Sequence, residues 1–400
     1  MRTILRGFQA CLSTTLLLTI GACDLSPTIP SGEILDEDLN TPEAAEVIFN
    51  GIVGDLEYGL DRAIVESALA TPDEIVFAGS RLWYDMIRLG DAQPLDVRVS
   101  WETTSRARWT SEHGIEKLES ILPNPDQDPL ITAAHVWAGY SLRIMGDVFC
   151  EAVFDGGSAE PNSAYYERAL EHFRIGRDRA VAGGSGLDSL RLAAIAGMAQ
   201  SNLILKNYSE AAQLAAQIPD DFVWVAHHSG VADRERNFVW MESVLNRMIT
   251  VFGTPVAALG PSGDPRVPWV DAKRKGNDGK TALYNQMKYA DSGADVPLAK
   301  GLEMRLIEAE VMLRNGDLTG FLARVNNVRA AFGLASVTVA TVQEGWSTLD
   351  RERFLTLWLE GRRLKDVSRL SGEGVVSFPS GRVSCFPFGD TEIAGNPNLH

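Results

Sequence analysis

The stretch ERFLTLWLEGRRLKDVSR, Glu352 to Arg369, decides how the rest of the chain is read. Its apolar positions Phe354, Leu357 and Leu364, with Gly361 between them, recur at three- and four-residue steps, which predicts a helix with one buried face. The charges fall at helical steps too. Glu360 with Arg363, Arg362 with Asp366, and Asp366 with Arg369 are opposite-sign pairs, each adding about 0.2–0.5 kcal/mol to an exposed helix. Paired charges mostly neutralise one another, so a structural, charge-laced helix is favoured here over a recognition surface.

Working outward, the chain is predicted to be all-α, because no series of regularly spaced alternating runs argues for a sheet. Helix-turn-helix repeats emerge once the turns are aligned. In AGMAQSNLILKNYSEAAQLAAQIP, the small residues Ala199 and Ala211, the turn Lys206-Asn207-Tyr208 and the stop at Pro219 match a tetratricopeptide layout. EMRLIEAEVMLRNGDLTGFLARVNNVR repeats it, with Ala309 in the small position, Asn315-Gly316-Asp317 as the turn, and Phe321 where alanine is usual. A third copy is split: WAGYSLRIMGD carries Gly139, YYERALEHFRIG carries Ala169, Phe173 and Gly176, and an irregular insertion with Cys150 and Gly156-Gly157 lies between them. Insertions in regular arrays are frequent places for function.

At the N-terminus, Arg2 and Arg6 precede a mostly apolar run from Ala10 to Ile20, too short to span a bilayer stably. It ends Ile20-Gly21-Ala22-Cys23, which resembles the lipobox of bacterial lipoproteins. Residues 1–22 are therefore expected to be a signal peptide. Cys23 would be the lipidation site, 23–40 a lipidated tether with two prolines, and 41–400 a single domain opening at Thr41-Pro42. If Cys23 carries lipid, Cys150 and Cys385 are left in an oxidising compartment and are expected to form a disulfide. The formal charge of −16 argues against nucleic acid and anionic headgroups as partners.

Several of these segments together are similar to the SusD/RagB family of nutrient-binding outer-membrane lipoproteins. Glu352-Arg353 followed by Glu360-Gly361, Arg363, Asp366 and Arg369 carries the family's C-terminal pattern. AAHVWAGYSLRIMGDVF resembles its helix ending in Gly-Asp-Val, and EMRLIEAEVMLRNGD with Asn326 and Arg329 resembles its late repeat. CFPFGDTEIAGNPNL resembles its closing signature, while AEVIFNGIVGDLEYGL and Asp73-Glu74 fit near the start. The chain departs where Phe149-Cys150 replaces the usual proline, and segments 75–110 and 220–285 match nothing. The resemblance implies tetratricopeptide-type hairpins supporting an irregular ligand-bearing half. It also implies anchoring at the outer membrane, facing the cell surface, over a SusC-like TonB-dependent transporter that receives a glycan or other nutrient. The rival reading is a periplasmic tetratricopeptide scaffold that binds a protein or peptide in a concave groove.

Sugar binding needs aromatic faces for the apolar side of a pyranose and planar polar groups for its hydroxyls. On those grounds Asp73, Arg81, Trp83, Tyr84, Trp101 and Trp269 are the candidate ligand contacts. Trp137 and Trp358, on helices with apolar periodicity, are assigned to the core, and Trp109 to packing at a helix start. Catalytic patterns are poor: there is no His-Glu-x-x-His, no Cys-x-x-Cys and no Gly-x-Ser-x-Gly. The pair His227-His228 has no evident third ligand, so no metal, cofactor or enzymatic activity is expected.

Overall fold

The computed structural model describes residues 36–261, 263–378 and 380–399. The expected signal peptide 1–22, Cys23 and the tether as far as residue 35 lie outside them. Helices dominate: α1 (Ala45–Ala70), α2 (Leu82–Leu89), α3 (Arg98–Ile121), α4 (Pro129–Val148), α5 (Ser163–Gly183), α6 (Asp188–Ile204) and α7 (Tyr208–Ala215) come first. The short α8 (Phe238–Trp240) and α9 (Pro255–Ala258) follow, then α10 (Gly301–Arg314), α11 (Leu318–Ala331), α12 (Val342–Thr356), α13 (Arg363–Gly372) and α14 (Asp390–Gly395).

The three expected hairpins are α4/α5, α6/α7 and α10/α11. Asp128 opens α4 by accepting the Leu130 N–H at 2.8 Å, ahead of Pro129 at the first position. Asp317 does the same for α11 through the Gly320 N–H at 2.8 Å, immediately after Gly316 turns the chain at φ 76°. Phe173 of α5 is wholly buried where a side chain on Gly139 of α4 would come within 2.6 Å of its ring, and Gly197 of α6 meets the same ring. One aromatic therefore fixes the spacing of three helices, and alanine at either glycine would force them apart. Phe321 fills a separate C-terminal cluster with Leu306, Leu313, Val325 and Leu349.

The frame is helical as expected, and among the described residues four short two-stranded antiparallel ribbons are set into it. β1 (Val76–Phe77) pairs with β5 (Ile249–Thr250), and β2 (Glu151–Ala152) with β3 (Glu160–Pro161). β4 (Val223–Ala226) pairs with β8 (Val296–Lys300), and β6 (Trp269–Lys275) with β7 (Ala282–Gln286). The strands are short, and both longer ribbons shift register along their length, so no period of two survives in the sequence. Cys150 and Cys385 form a disulfide, with the Cys150 N–H also donating to the Phe386 carbonyl at 2.8 Å.

The opening stretch is not one helix. α12 ends at Thr356, Leu359 and Gly361 take left-handed backbone at φ 55° and 73°, and α13 starts at Arg363. Of the three expected pairs only Asp366 with Arg369, at 2.9 Å, forms. Glu360 instead receives Lys288 and Lys300 at 2.5 and 2.6 Å, and Arg362 reaches Glu303 at 3.2 Å. Arg363 holds Asp73 at 2.7 Å and Asp350 at 2.6 Å, while Arg369 forks onto Glu310 at 2.6 and 2.7 Å. Glu352 takes Arg266 and Arg329, and Arg353 takes Asp366. These groups are buried or part-buried and none is exposed, so they form a charged lattice within the protein and not a solvated face. Burial alone would raise the Asp366 carboxyl, but Arg353 and Arg369 reverse that and push it down to about 2.

Candidate functional site

Between α1 and α3 the chain leaves the helical frame, and an open cavity of about 460 Å³ forms there. Its walls include Phe77 of β1, Ser80, Arg81, and Asp85 and Arg88 of α2. Asp278 and Thr281, from the turn that joins β6 to β7, close the opposite side. That turn is seated by the backbone: the Asp278 N–H donates to the Ala78 carbonyl at 3.0 Å and the Asn277 N–H to the Arg247 carbonyl at 2.8 Å. A side chain on Gly276 would strike the Ala78 carbonyl, so this approach needs glycine.

α2 is anchored by one face. Tyr84 and Ile87, three residues apart, are buried, Tyr84 meeting Phe77 edge-on at 5.9 Å. Gly90 ends the helix in left-handed conformation at φ 86°. The outward face offers Leu82 and Trp83, the latter 40% exposed, a large apolar surface that the fold leaves uncovered. Arg81 lies 5.9 Å from the Trp83 ring and bonds Glu242 at 2.6 Å. Glu242 is fully buried in the wide helical turn Met241–Leu245, so Arg81 is pinned. Burial lowers the Arg81 guanidinium, and the Glu242 carboxylate more than reverses it, holding the group above its ordinary value. Asp85 and Arg88 pair along α2 at 2.7 Å. The cavity therefore presents fixed donors and acceptors, and an exposed indole stands next to Arg81 outside its wall, groups of the types that suit a hydroxyl-rich ring.

Of the six candidate contacts, the structure places Arg81 in the cavity wall, while Trp83 stands exposed beside Arg81 without lining the cavity. The other four are corrected. Tyr84 is core, packed against Phe77, and Trp101 is core as well, edge-on to Phe149 at 4.8 Å and Phe388 at 5.1 Å. Trp269 is buried and stacked on Tyr284 at 4.6 Å, and Asp73 is engaged by Arg363. Arg88, Asp278 and Thr281 were not anticipated. The signal was available in Asn277-Asp278-Gly279, a hairpin-turn sequence following the basic run Lys273-Arg274-Lys275 and preceding Ala282-Leu283-Tyr284. Trp137 and Trp358 are core, whereas Trp109 is half exposed, stacked on His113 at 4.2 Å beside an apolar groove with Val47 and Ile48. His228 is bound to Asp61 at 3.2 Å and His227 to Asp295 at 3.2 Å. Among the described residues no cluster fit to hold a metal ion occurs, and no helix is long and apolar enough to cross a membrane.

No family sequence model matches the chain, and no curated protein matches it in sequence. Solved structures do match in fold. Surface glycan-binding protein A from Bacteroides uniformis superposes with a TM-score of 0.70 at 14% identity, over 90% of this chain and 99% of that one. A SusD-like protein from Bacteroides fragilis gives a TM-score of 0.67 at 15% identity, over 92% and 98%. A SusD-like carbohydrate binding protein from Bacteroides vulgatus gives 0.64 at 14% identity, over 90% and 98%.

Proposed function

We propose that this chain, whose fold is SusD-like, is a non-catalytic glycan-capture protein, and that the cavity between Arg81 and the β6–β7 turn receives the glycan. The observation that carries the reading is an open polar cavity walled by Arg81, Asp85 and Arg88, with the uncovered Trp83 indole outside its wall, 5.9 Å from the Arg81 guanidinium. An exposed indole costs the folded protein hydrophobic burial, and a pyranose face recovers it. The structural neighbours named for glycan or carbohydrate binding support the same class of ligand. In this reading Cys23 carries the lipid that holds the protein at the outer membrane, and the glycan passes to a SusC-like TonB-dependent transporter beneath it. Capture for hand-over calls for modest, reversible affinity.

Affinity electrophoresis and calorimetry against a polysaccharide panel test the reading, with turnover assayed on the same panel. Binding without hydrolysis by at least one polysaccharide, weakened by Trp83→Ala, is expected. Failure of every polysaccharide to bind, with no transporter recovered on pull-down, would overturn it. Cys23→Ser should move the protein from the membrane to the soluble fraction.

A further inference from the structure

We propose that this cavity selects anionic saccharides, chains bearing uronate or sulfate groups, through the basic tip of the β6–β7 hairpin; the inference rests on the glycan reading above. The chain carries a formal charge of −16 and holds only eight lysines, yet three of them, Lys273, Lys275 and Lys280, fall within this one tip together with Arg274. All four side chains are exposed. The same turn supplies Asp278 and Thr281 to the cavity wall, so Lys280 stands between two wall residues. Arg247, whose carbonyl accepts the Asn277 N–H at 2.8 Å, adds a further cation next to the turn.

The acids nearby are already engaged. Asp271 is taken by Lys273, with Nζ at 2.7 Å and the backbone N–H at 2.8 Å. Asp278 is consumed within its own turn by the N–H groups of Lys280 and Thr281 at 2.8 and 2.9 Å and the Thr281 hydroxyl at 2.6 Å. Asp85 faces Arg88, and Glu242 faces Arg81. Among the described residues no ion pair takes up Arg247, Arg274, Lys275 or Lys280, although Lys280 is near enough to Asp278 to help hold that carboxyl low. A local surplus of cations beside the opening of a polar cavity, in a chain this acidic, attracts and orients an anion. A neutral glycan needs no such reversal of sign. Lysines also guard exposed ribbon edges against unwanted strand pairing, but that role leaves ligand affinity untouched.

The test is calorimetry on the mature protein with polygalacturonate, alginate and chondroitin sulfate, set against starch and mannan as neutral probes. At least one polyanion should bind in preference to the neutral chains and weaken as salt is raised. The triple variant Arg274→Gln/Lys275→Gln/Lys280→Gln should lose about tenfold or more in affinity for it while its melting temperature holds. Neutral chains bound as tightly as polyanions, or polyanion binding untouched by the triple variant, would overturn the inference and leave glycan capture standing. Binding of no polysaccharide at all would remove both.

Discussion

The N–H of Leu359 donates to Oε1 of Glu74 across 2.9 Å, joining the break between α12 and α13 to the turn that follows α1. Leu359 is left-handed at φ 55°, a conformation that costs a non-glycine residue about 1–2 kcal/mol. Glu74 gives further support, accepting the Thr71 hydroxyl at 3.3 Å and, through its carbonyl, the Trp358 indole N–H at 3.3 Å. Glu74→Ala leaves a buried N–H without a partner and is expected to lose about 1–3 kcal/mol in chemical denaturation. Glu74→Gln keeps an acceptor in place and should lose clearly less. Equal stability of the two variants would show that this bond does not hold the break.

Stability should depend on pH in two opposed ways. Burial pushes Glu66 up to about 8 and Glu74 up to about 7, from an ordinary 4.5. Their contribution is complete below about 4.5 and is lost as pH rises through 7 to 8. His135 and His172, Nδ1 to Nδ1 at 3.0 Å between α4 and α5, are pushed down by burial to about 3 and about 4, from 6.5. Their contribution is complete above about 6.5 and is lost as pH falls toward 3. Glu57, pushed by burial up to about 7, adds a third acid of the same sign as Glu66 and Glu74. Between these limits the slopes offset each other in large part, so melting temperature should decline only gently from about pH 4.5 to 6.5 and fall more steeply on both sides. Glu66→Gln with Glu74→Gln should flatten the alkaline limb. A melting temperature that climbs from pH 6.5 to 8 in the unmodified protein would contradict this.

What the sequence disclosed divides along the range of the interactions. The hairpins α4/α5, α6/α7 and α10/α11 were legible because their signals, Gly139 against Phe173 or Asn315-Gly316-Asp317, sit within one or two helices. The partners of the C-terminal charges were not. Arg363 meets Asp73 across 290 residues and Glu360 meets Lys288 across 72, and no local period encodes either. Gly361 looked like a mid-helix position because its neighbours keep helical spacing; the left-handed turn there depends on Glu74. At the site, Arg81 and Trp83 were found by residue type. Type could not separate Trp83 from Trp101, since exposure of an indole is decided by Phe149 and Phe388, which arrive from elsewhere in the chain.

That contrast can be measured. Trp83 is 40% exposed, so Trp83→Ala should leave the melting temperature nearly unchanged while weakening glycan binding by roughly 0.5–1.5 kcal/mol, the scale of one aromatic contact. Trp101 is 3% exposed and meets two phenylalanines, so Trp101→Ala should cost about 3–5 kcal/mol of stability. Affinity measured on whatever Trp101→Ala protein remains folded should match the parent. A binding loss in that variant larger than in Trp83→Ala would place the ligand elsewhere.

Arg363 gives the complementary case in the charged lattice. It holds Asp73 and Asp350 together, with its side chain largely buried, and nothing at the cavity depends on it directly. Arg363→Ala strands both carboxylates and should cost about 3–5 kcal/mol, read as lower yield and an earlier denaturation midpoint. Arg363→Lys keeps the charge but has no fork to span two acids, so it should recover only part of that loss. Glycan affinity of the folded fraction should be unchanged in both. An affinity defect without a stability defect would make Arg363 part of the binding surface and reverse the role assigned to the motif.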